Sequence, residues 1–314
     1  MFRRWLSAFF KNNKEKIVKV LKVFIPIILV GIAIISVFPK SESQTNKSNS
    51  TNTLYTPTET VISGSNISEK EFEKEDDLVR SFVDFCNEGN VEEAYNLLTN
   101  ECKEKLYPTI EKFKTNYYSK IFNEQKEYNL QSWISTGDYN TYRVRYLSDL
   151  LATGNYEEAE KTDDYITIVT SGNEKKLNIN GYIKTAKLNK TTKTDEIEAE
   201  VTSVDIYMDY VIYYMKIENL TDKEILLDSL QNIYTLKLIG TNEAAYKVDV
   251  TNLKSIDLKI VSGGEKDIKL KFIKQYGSDI EGRKIEFSKA ILDYKEFSKD
   301  KSNYKDFVEI YIDL

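Results

Sequence analysis

The pattern of hydrophobic and polar positions changes along the chain and divides it into regions with different predicted structures. A continuous apolar run, Val23–Phe38, lies near the N-terminus. Between residues 67 and 122 the apolar residues recur every three or four positions, which predicts amphipathic helices. After Phe122 they alternate with polar residues in short runs, which predicts strands. Helices first and strands afterwards favour an α+β arrangement over alternating βαβ units.

Three helices are predicted before the first strand. The sequence SEKE at Ser68–Glu71 has the form of a capping box, which satisfies free amide groups where a helix begins. Gly89 interrupts the first apolar stripe, and NVEEAYNLLT begins a second helix with Asn90 as its predicted cap. Pro108 suits the first turn of a third helix, PTIEKFKTNYYSKIF. Strands are then predicted at 128–134, 141–147, 164–170 and 176–183.

The order of these elements is similar to that of a known family. A long amphipathic helix, a second helix beginning GNVEEAYNLL, a third helix and strands ending in NINGYI resemble the nuclear-transport-factor-2-like fold over residues 67–186. The resemblance implies an α+β cone-shaped domain with three helices on a curved antiparallel sheet. Members include isomerases, dehydratases, binding modules and domains of inner-membrane assembly proteins of type IV secretion and conjugation systems. Candidate pocket-lining residues for ligand binding are Trp133, Tyr142 and Tyr146, although aromatic residues on strands are more commonly core.

Beyond residue 196 the chain continues as short alternating runs separated by polar turns. In VIYYMKIEN, for example, Val211, Tyr213 and Met215 alternate with residues of the opposite face. Seven or eight such runs predict an all-β sandwich over 196–314, with 187–195 as a linker. The segments IENLTDKEILL and VSGGEKDIKLKF resemble a bacterial extracytoplasmic immunoglobulin-like family, the telomeric-repeat-binding-factor-2-like domains. This resemblance implies a spacer or protein-interaction module without chemistry.

The N-terminal apolar run predicts a transmembrane helix over 17–38, because about 20 apolar residues cross a bilayer. Residues 1–22 carry seven lysines and arginines and one glutamate, so the basic tail 1–16 is predicted to be cytoplasmic. No small-residue cleavage site follows Phe38, which favours an uncleaved anchor over a signal peptide. The Ser/Thr/Asn-rich stretch 39–66 predicts a flexible stalk, and its glycosylation stays open. We therefore expect a single-pass cell-membrane protein with extracytoplasmic C-terminal domains.

The amino-acid composition excludes several kinds of functional site and partner. The 314 residues include no histidine, which removes the commonest general base and metal ligand. The net charge is −6, and the +6 of residues 1–22 leaves −12 on the remainder, so nucleic acid is not an expected partner. The acidic clusters EKEDD (73–77) and TDD (162–164) lack the spacing of a calcium loop and are interpreted as solvated surface. We expect no metal, no cofactor and no enzymatic activity.

Two further features concern the helices. The two cysteines, Cys86 and Cys102, lie at the predicted ends of the first and second helices. A disulfide between them is possible outside the cell, and two buried apolar residues are the alternative. The motif GNVEEA recurs as GNYEEA at 154–159, but no third copy follows, so a helical repeat array is not supported. The second copy is predicted to be a polar loop between strands.

These expectations lead to three function hypotheses. The first is a membrane-anchored scaffold or assembly protein of a conjugation or secretion machine, which contacts other envelope proteins or itself, and the bilayer through residues 17–38. The second is an extracytoplasmic small-ligand-binding or envelope-maintenance protein, which requires a cone pocket of roughly 300 Å³ or more. The third is an isomerase or dehydratase, which requires a buried carboxylate–tyrosine pair in that pocket.

Overall fold

The computed structural model describes residues 61, 63–64, 66–136, 139–148, 161–172, 174–277 and 281–314. All of them belong to one compact unit, Tyr55–Leu314. The fold is mixed but mostly β, with antiparallel sheets and few helices. The predicted basic tail, membrane segment 17–38, most of the stalk and the second GNYEEA copy lie outside the described residues. In the described part of the chain, no helix combines the length and apolar character needed to span a membrane.

The described residues from 63 to 178, which we call the helix–sheet module, begin with the predicted capping arrangement. The Ser68 hydroxyl oxygen accepts a hydrogen bond from the Glu71 amide at 3.2 Å. The first helix ends just before Gly89, whose φ of +77° favours glycine. The helices are α1 (Glu69–Asn87), α2 (Val91–Asn96), α3 (Asn100–Leu106) and α4 (Ile110–Phe113), which continues through a π-helical turn (Lys114–Tyr118) into α5 (Ser119–Ile121).

The predicted second helix is shorter than its apolar pattern indicated, because a strand-like contact ends it. The Leu177 amide donates to the Leu97 carbonyl at 2.9 Å, and the Thr99 amide donates to the Leu177 carbonyl at 2.9 Å. These bonds draw the chain out of the helix, and Thr99 then caps α3 through its hydroxyl. Asn90 occupies the predicted N-cap position of α2, but its side chain makes no capping hydrogen bond and its amide donates to Glu88 instead.

The first sheet lies against these helices. Its order is β1-β2-β3-β4-β5, antiparallel except for the parallel pair of β1 and β2. Along β3 the predicted alternation is confirmed, with Val144 fully buried between two half-exposed arginines. The strands are β1 (Ser63–Gly64), β2 (Lys126–Ser135), β3 (Tyr139–Ser148), β4 (Lys161–Ser171) and β5 (Glu174–Asn178).

Residues 182–314, with their gap at 278–280, contain two further sheets and are called the two-sheet module. The second sheet has the order β13-β8-β7-β6, from β6 (Tyr182–Lys193), β7 (Ile197–Tyr207), β8 (Tyr210–Asn219) and β13 (Glu265–Ile273). The third has the order β11-β10-β14-β9-β12, with β15 paired to β14. It consists of β9 (Ile225–Leu226), β10 (Leu236–Gly240), β11 (Ala245–Lys247), β12 (Lys259–Ile260), β14 (Gly282–Ile291) and β15 (Phe307–Asp313). A 3-10 helix (Ser255–Leu258) and α6 (Tyr294–Lys299) complete the module.

The two-sheet module has an aliphatic core between its two sheets. The inward residues of β8 predicted by alternation, Val211, Tyr213 and Met215, are all buried there. Opposite them lie buried residues of the third sheet, such as Leu238 and Phe287. The coarse prediction of packed antiparallel sheets in this half of the chain is therefore confirmed.

The predicted linker 187–195 is mostly strand β6, which pairs with β7 along its length. The prediction of a linker was wrong because β6 is an edge strand with much of its surface exposed, and its composition is therefore polar. No spacer separates the two modules: Tyr182 is buried in the core of the helix–sheet module and Ile183 in that of the two-sheet module. The second sheet thus begins at Tyr182, not at residue 196.

Candidate functional site

Two carboxylates lie inside the helix–sheet module. Glu75 on α1 is 1% exposed, and Asp164 on β4 is 8% exposed. Both belong to acidic clusters that we expected at the surface, and for these two residues the expectation is wrong. Helical spacing places Glu75 on the face of the buried Val79, while strand alternation places Asp164 on the face of the buried Ile166. This periodicity is the signal in the sequence by which both could have been found.

Glu75 is held by three side chains from the first sheet. The Tyr142 hydroxyl donates a short hydrogen bond to its carboxylate, and the Asn140 amide donates to the two oxygens at 3.0 and 3.1 Å. The Lys175 ammonium lies 2.6 Å from the same carboxylate and also pairs with Glu71. Burial, followed by the neighbouring Glu75, raises the pKa of Tyr142 well above its usual value. In this cluster two carboxylates, the buried Glu75 and the partly exposed Glu71, share one lysine, and the tyrosine is a neutral donor.

The Asp164 carboxylate accepts hydrogen bonds from a tyrosine hydroxyl and from main-chain amides. The Tyr117 hydroxyl donates to Oδ2 at 2.7 Å, and the main-chain amides of Tyr165 and Asn180 donate at 2.7 and 3.1 Å. A second hydroxyl, that of Tyr146, lies 3.2 Å from the Tyr117 hydroxyl. Burial raises the pKa of Asp164 to about 6, against the lowering effect of these hydrogen bonds. The group therefore changes charge close to neutral pH.

Aromatic rings fill the space around the two carboxylates. Phe82 on α1 lies 6.2 Å from the Tyr117 ring and 6.3 Å from the Phe122 ring, measured between centroids. Phe122 in turn meets Tyr146 edge-on at 5.3 Å. None of five cavities of about 210 to 530 Å³ on the described part of the chain is lined by these aromatic residues. The interior between helices and sheet is packed with the protein's own side chains.

Two of the three predicted pocket-lining residues lie in the core of the helix–sheet module, in separate clusters. Tyr142 and Tyr146 are fully buried core residues, one in each carboxylate cluster, and neither lines any of the five cavities. Trp133 lies elsewhere: its ring is 5.5 Å from that of Tyr165 and 5.6 Å from the Arg143 guanidinium. It packs against the core of the two-sheet module. The reason is strand alternation, which places Trp133 on the face of β2 opposite Tyr128 and Leu130, the residues that pack against the helix–sheet core.

The two cysteines are free thiols and both are buried, so the possible disulfide is not formed in the structure. Burial raises the pKa of Cys86 far above its usual value and that of Cys102 to about 12. Thiols of this kind are unreactive at neutral pH and pack as small apolar groups, which was the alternative interpretation. Among the described residues, no group of three or more Cys, Asp or Glu side chains is arranged to hold a metal ion.

No family model matches the sequence, and no curated protein matches it significantly. Among solved structures, the yjhA protein from Bacillus subtilis is similar over 41% of this chain and 98% of its own, with 14% identity and a TM-score of 0.28. A conserved hypothetical protein from Bacillus anthracis is similar over 32% of this chain and 89% of its own, with 17% identity and a TM-score of 0.25. At these TM-scores the likeness supports no conclusion about fold or function.

Proposed function

We propose that the chain is a membrane-anchored extracytoplasmic scaffold or assembly protein that acts through protein–protein contacts, within a conjugation or secretion machine. The observation that carries the proposal is the core of the helix–sheet module, in which Phe82, Phe113 and Phe122 are buried together. A module with a filled interior presents its outer surfaces to partners. The small-ligand alternative needs an internal pocket and has less support.

The finer fold assignment belongs to the same proposal. Helices packed on an antiparallel sheet support a nuclear-transport-factor-2-like cone for 67–186, and two packed antiparallel sheets support an immunoglobulin-like module after it. The direct passage from one core to the other at Tyr182 and Ile183 suits a scaffold, because it holds the two outer surfaces in a fixed relation.

A contact surface is available on the two-sheet module. Tyr234 is 70% exposed and Ile273 is 43% exposed, and both line a groove of about 300 Å³ together with Tyr246. Exposed tyrosines beside apolar grooves are typical centres of protein interfaces. We propose this groove as the contact with another envelope protein or with a second copy.

The test is site-specific photo-cross-linking in whole cells. A photoreactive amino acid at Tyr234 should give discrete cross-linked species, while the same group at Ser302, an exposed residue away from the groove, should give little. Cross-linking that is equal at both positions, or that yields only the monomer, would remove the scaffold proposal. Fractionation of the full chain and of a variant lacking residues 1–38 tests the anchor separately, since only the full chain should be in the membrane fraction.

A second candidate function, acid–base catalysis of the isomerase or dehydratase type, is favoured by one observation. A buried carboxylate–tyrosine pair, one part of what this chemistry requires, is present twice, at Glu75–Tyr142 and at Asp164–Tyr117, although neither pair lines any of the five cavities. Asp164 is the better base because its pKa of about 6 lies near neutral pH. Turnover of enolisable ketones and β-hydroxy acids by the full chain, abolished in Asp164→Asn and retained in Asp163→Asn, would establish it. If the full chain turns over neither enolisable ketones nor β-hydroxy acids, this catalytic function is ruled out.

A further inference from the structure

A cleft of about 360 Å³ opens between the edge strand β6 and the start of β14. Its apolar floor and wall consist of Ala186, Leu188, Val204, Ile206, Val211 and Tyr213. The last four are core residues of the second sheet that keep 4–6% of their surface exposed, whereas Ala199 and Val201, further along β7, keep none. The aliphatic core of the two-sheet module is therefore accessible from this side.

Lysines surround the mouth of the cleft. Lys184, Lys187 and Lys190 all come from β6, and Glu281 is the one acidic side chain in the lining, so the side chains of the cleft carry an excess of two positive charges. Lys187 is exposed to solvent. The Lys190 ammonium donates to the Leu314 main-chain oxygen at 2.6 Å, and the Lys184 ammonium lies 5.1 Å from the Tyr139 ring centroid. An apolar floor below a positive rim complements an amphiphile with a negative headgroup.

The same strand edge is poorly suited to an added peptide strand. The Thr185 amide donates to the Glu101 carboxylate at 2.9 Å, and the Thr192 hydroxyl accepts from the Asp313 amide at 3.0 Å, so the edge is closed at both ends. Between them the pairing of β6 shifts at a bulge, where Asn189 has a φ of +49°. Bulges and edge lysines are features that prevent strand addition. An acyl chain needs no main-chain hydrogen bonds and is not excluded by them.

We propose that this cleft binds a single-chain amphiphile whose headgroup is a carboxylate or a phosphate. The acyl chain lies on the floor formed by Val204, Ile206 and Val211, and the headgroup meets Lys187 and Lys190 at the rim. The volume lies at the lower end of the range for small-molecule sites, which suits a chain of medium length. The proposal is independent of the scaffold function and concerns a different surface from the Tyr234 groove.

The experiment uses the full chain and a dodecanoate that carries a photoreactive diazirine near the end of its acyl chain. After illumination, labelled peptides should map to 184–190, 204–213 or 281–283. Unlabelled hexanoate, octanoate and decanoate should compete with increasing affinity, by about fourfold for each methylene that enters the cleft. Decyl phosphate and decanoate distinguish the two headgroups, and decyltrimethylammonium should compete at least about tenfold more weakly, because the rim is positive.

Two variants locate the site, with a matched control on the same strand. Lys187→Glu combined with Lys190→Glu should lower labelling about fivefold or more, while Lys193→Glu, outside the cleft lining, should leave it within about twofold. Val204→Trp should abolish labelling by filling the cleft, with the unfolding temperature measured in parallel. If Val204→Trp does not fold, the exposed lysine variants decide the question. Labels outside the three segments, competition without dependence on chain length, or equal competition by the cationic amphiphile would each overturn the proposal.

Discussion

The helix–sheet module and the two-sheet module have cores of different chemistry. In the first, aromatic rings surround two carboxylates that bond to side chains: Glu75 to Tyr142, and Asp164 to Tyr117. In the second, the core is largely aliphatic, and a buried amide, Asn219, bonds to main-chain groups where β8 ends. Polar groups in the middle of a core fix the positions of side chains, whereas polar groups at a strand end fix the path of the chain.

The two cores nevertheless meet without a break. The Gly181 amide donates to the Tyr165 carbonyl at 3.0 Å, and the Met208 amide donates to the Gly181 carbonyl at 2.8 Å. An ion pair of 2.9 Å joins Lys105 on α3 to the buried Asp205 on β7. The contrast in chemistry is therefore one between parts of a single packed body, and this can be tested directly.

The largest effect is expected from the aromatic residues at the centre of each core. Phe82→Ala in the first module and Phe287→Ala in the second each remove a fully buried ring, and each should lower the free energy of unfolding by about 3 to 5 kcal/mol. Because the cores are continuous, both variants should shift one common transition in calorimetry and in urea unfolding.

Two separate transitions would contradict this prediction, with Phe82→Ala moving one and Phe287→Ala the other. The fluorescence of Trp133, which packs against the core of the two-sheet module, and far-ultraviolet circular dichroism should report the same midpoint in each variant. Different midpoints would show that the modules unfold independently, as the sequence-based division into two domains with a linker implied.

The next effect is a dependence on pH that Asp164 contributes from the first core, while burial also raises the pKa of Asp228 in the second. Asp164 has a pKa of about 6 when folded and an ordinary aspartate pKa near 4 when unfolded, so the folded state holds its proton more tightly. This contribution to stability is fully present below the unfolded pKa and is lost as pH rises through 6. The expected loss is about 2 kcal/mol between pH 4 and pH 7. Urea unfolding at both pH values should find the decline smaller by that amount in Asp164→Asn, with the part due to Asp228 retained.

The adjacent residue provides the control. Hydrogen bonds from Arg145, followed by those from Arg143, lower the pKa of Asp163 to about 2. Its contribution is present above the unfolded pKa and is lost only as pH falls towards 2, which is the opposite sign. Asp163→Asn should therefore keep the decline in stability between pH 4 and pH 7. A decline of equal size in wild type and Asp164→Asn would place its origin in other groups.

A part of this architecture follows from the sequence, and the exceptions share a physical cause. The Ser68 cap and the alternation of β3 are local, and both are confirmed. The end of α2 depends on Leu177, which is distant in the sequence, and local pattern does not contain that information. The prediction of a linker at 187–195 was wrong because a polar edge strand has the same kind of composition as a loop.

The candidate site was missed for a related reason. Runs such as EKEDD are usually solvated, so their composition outweighed the helical spacing that places Glu75 beside Val79 and Phe82. A charged residue at a core position of an otherwise regular stripe is rare, because an unpaired buried charge is costly. It occurs here because Tyr142, Asn140 and Lys175, all from the first sheet, donate hydrogen bonds to the Glu75 carboxylate. Only the assembled structure shows those partners.

A smaller effect is expected at the polar group of the second core. The Asn219 amide donates to the carbonyls of Lys223 and Val261 at 2.7 and 2.9 Å, and its oxygen accepts from the Thr221 amide at 3.0 Å. Asn219→Ala leaves these groups without that partner and should cost about 2 kcal/mol in urea unfolding. The control, Asn303→Ala at an exposed turn, should cost less than about 0.5 kcal/mol. Equal losses in the two variants would show that the hydrogen bonds of Asn219 do not stabilise the chain where β8 ends.

The smallest effect distinguishes the two carboxylate clusters within the first core. Tyr142→Phe removes a hydrogen bond to the charged Glu75, which keeps Lys175 and Asn140 as donors, and should cost about 1.5 kcal/mol. Tyr146→Phe removes only a hydroxyl–hydroxyl contact of 3.2 Å with Tyr117 and should cost about 0.5 kcal/mol. Both tyrosines are fully buried on one face of β3, so the lost volume is the same and urea unfolding compares the bonds alone. A larger cost for Tyr146→Phe than for Tyr142→Phe would contradict this prediction. It would mean that Lys175 and Asn140 stabilise Glu75 without the tyrosine, and that the contact between the Tyr117 and Tyr146 hydroxyls stabilises the core more strongly.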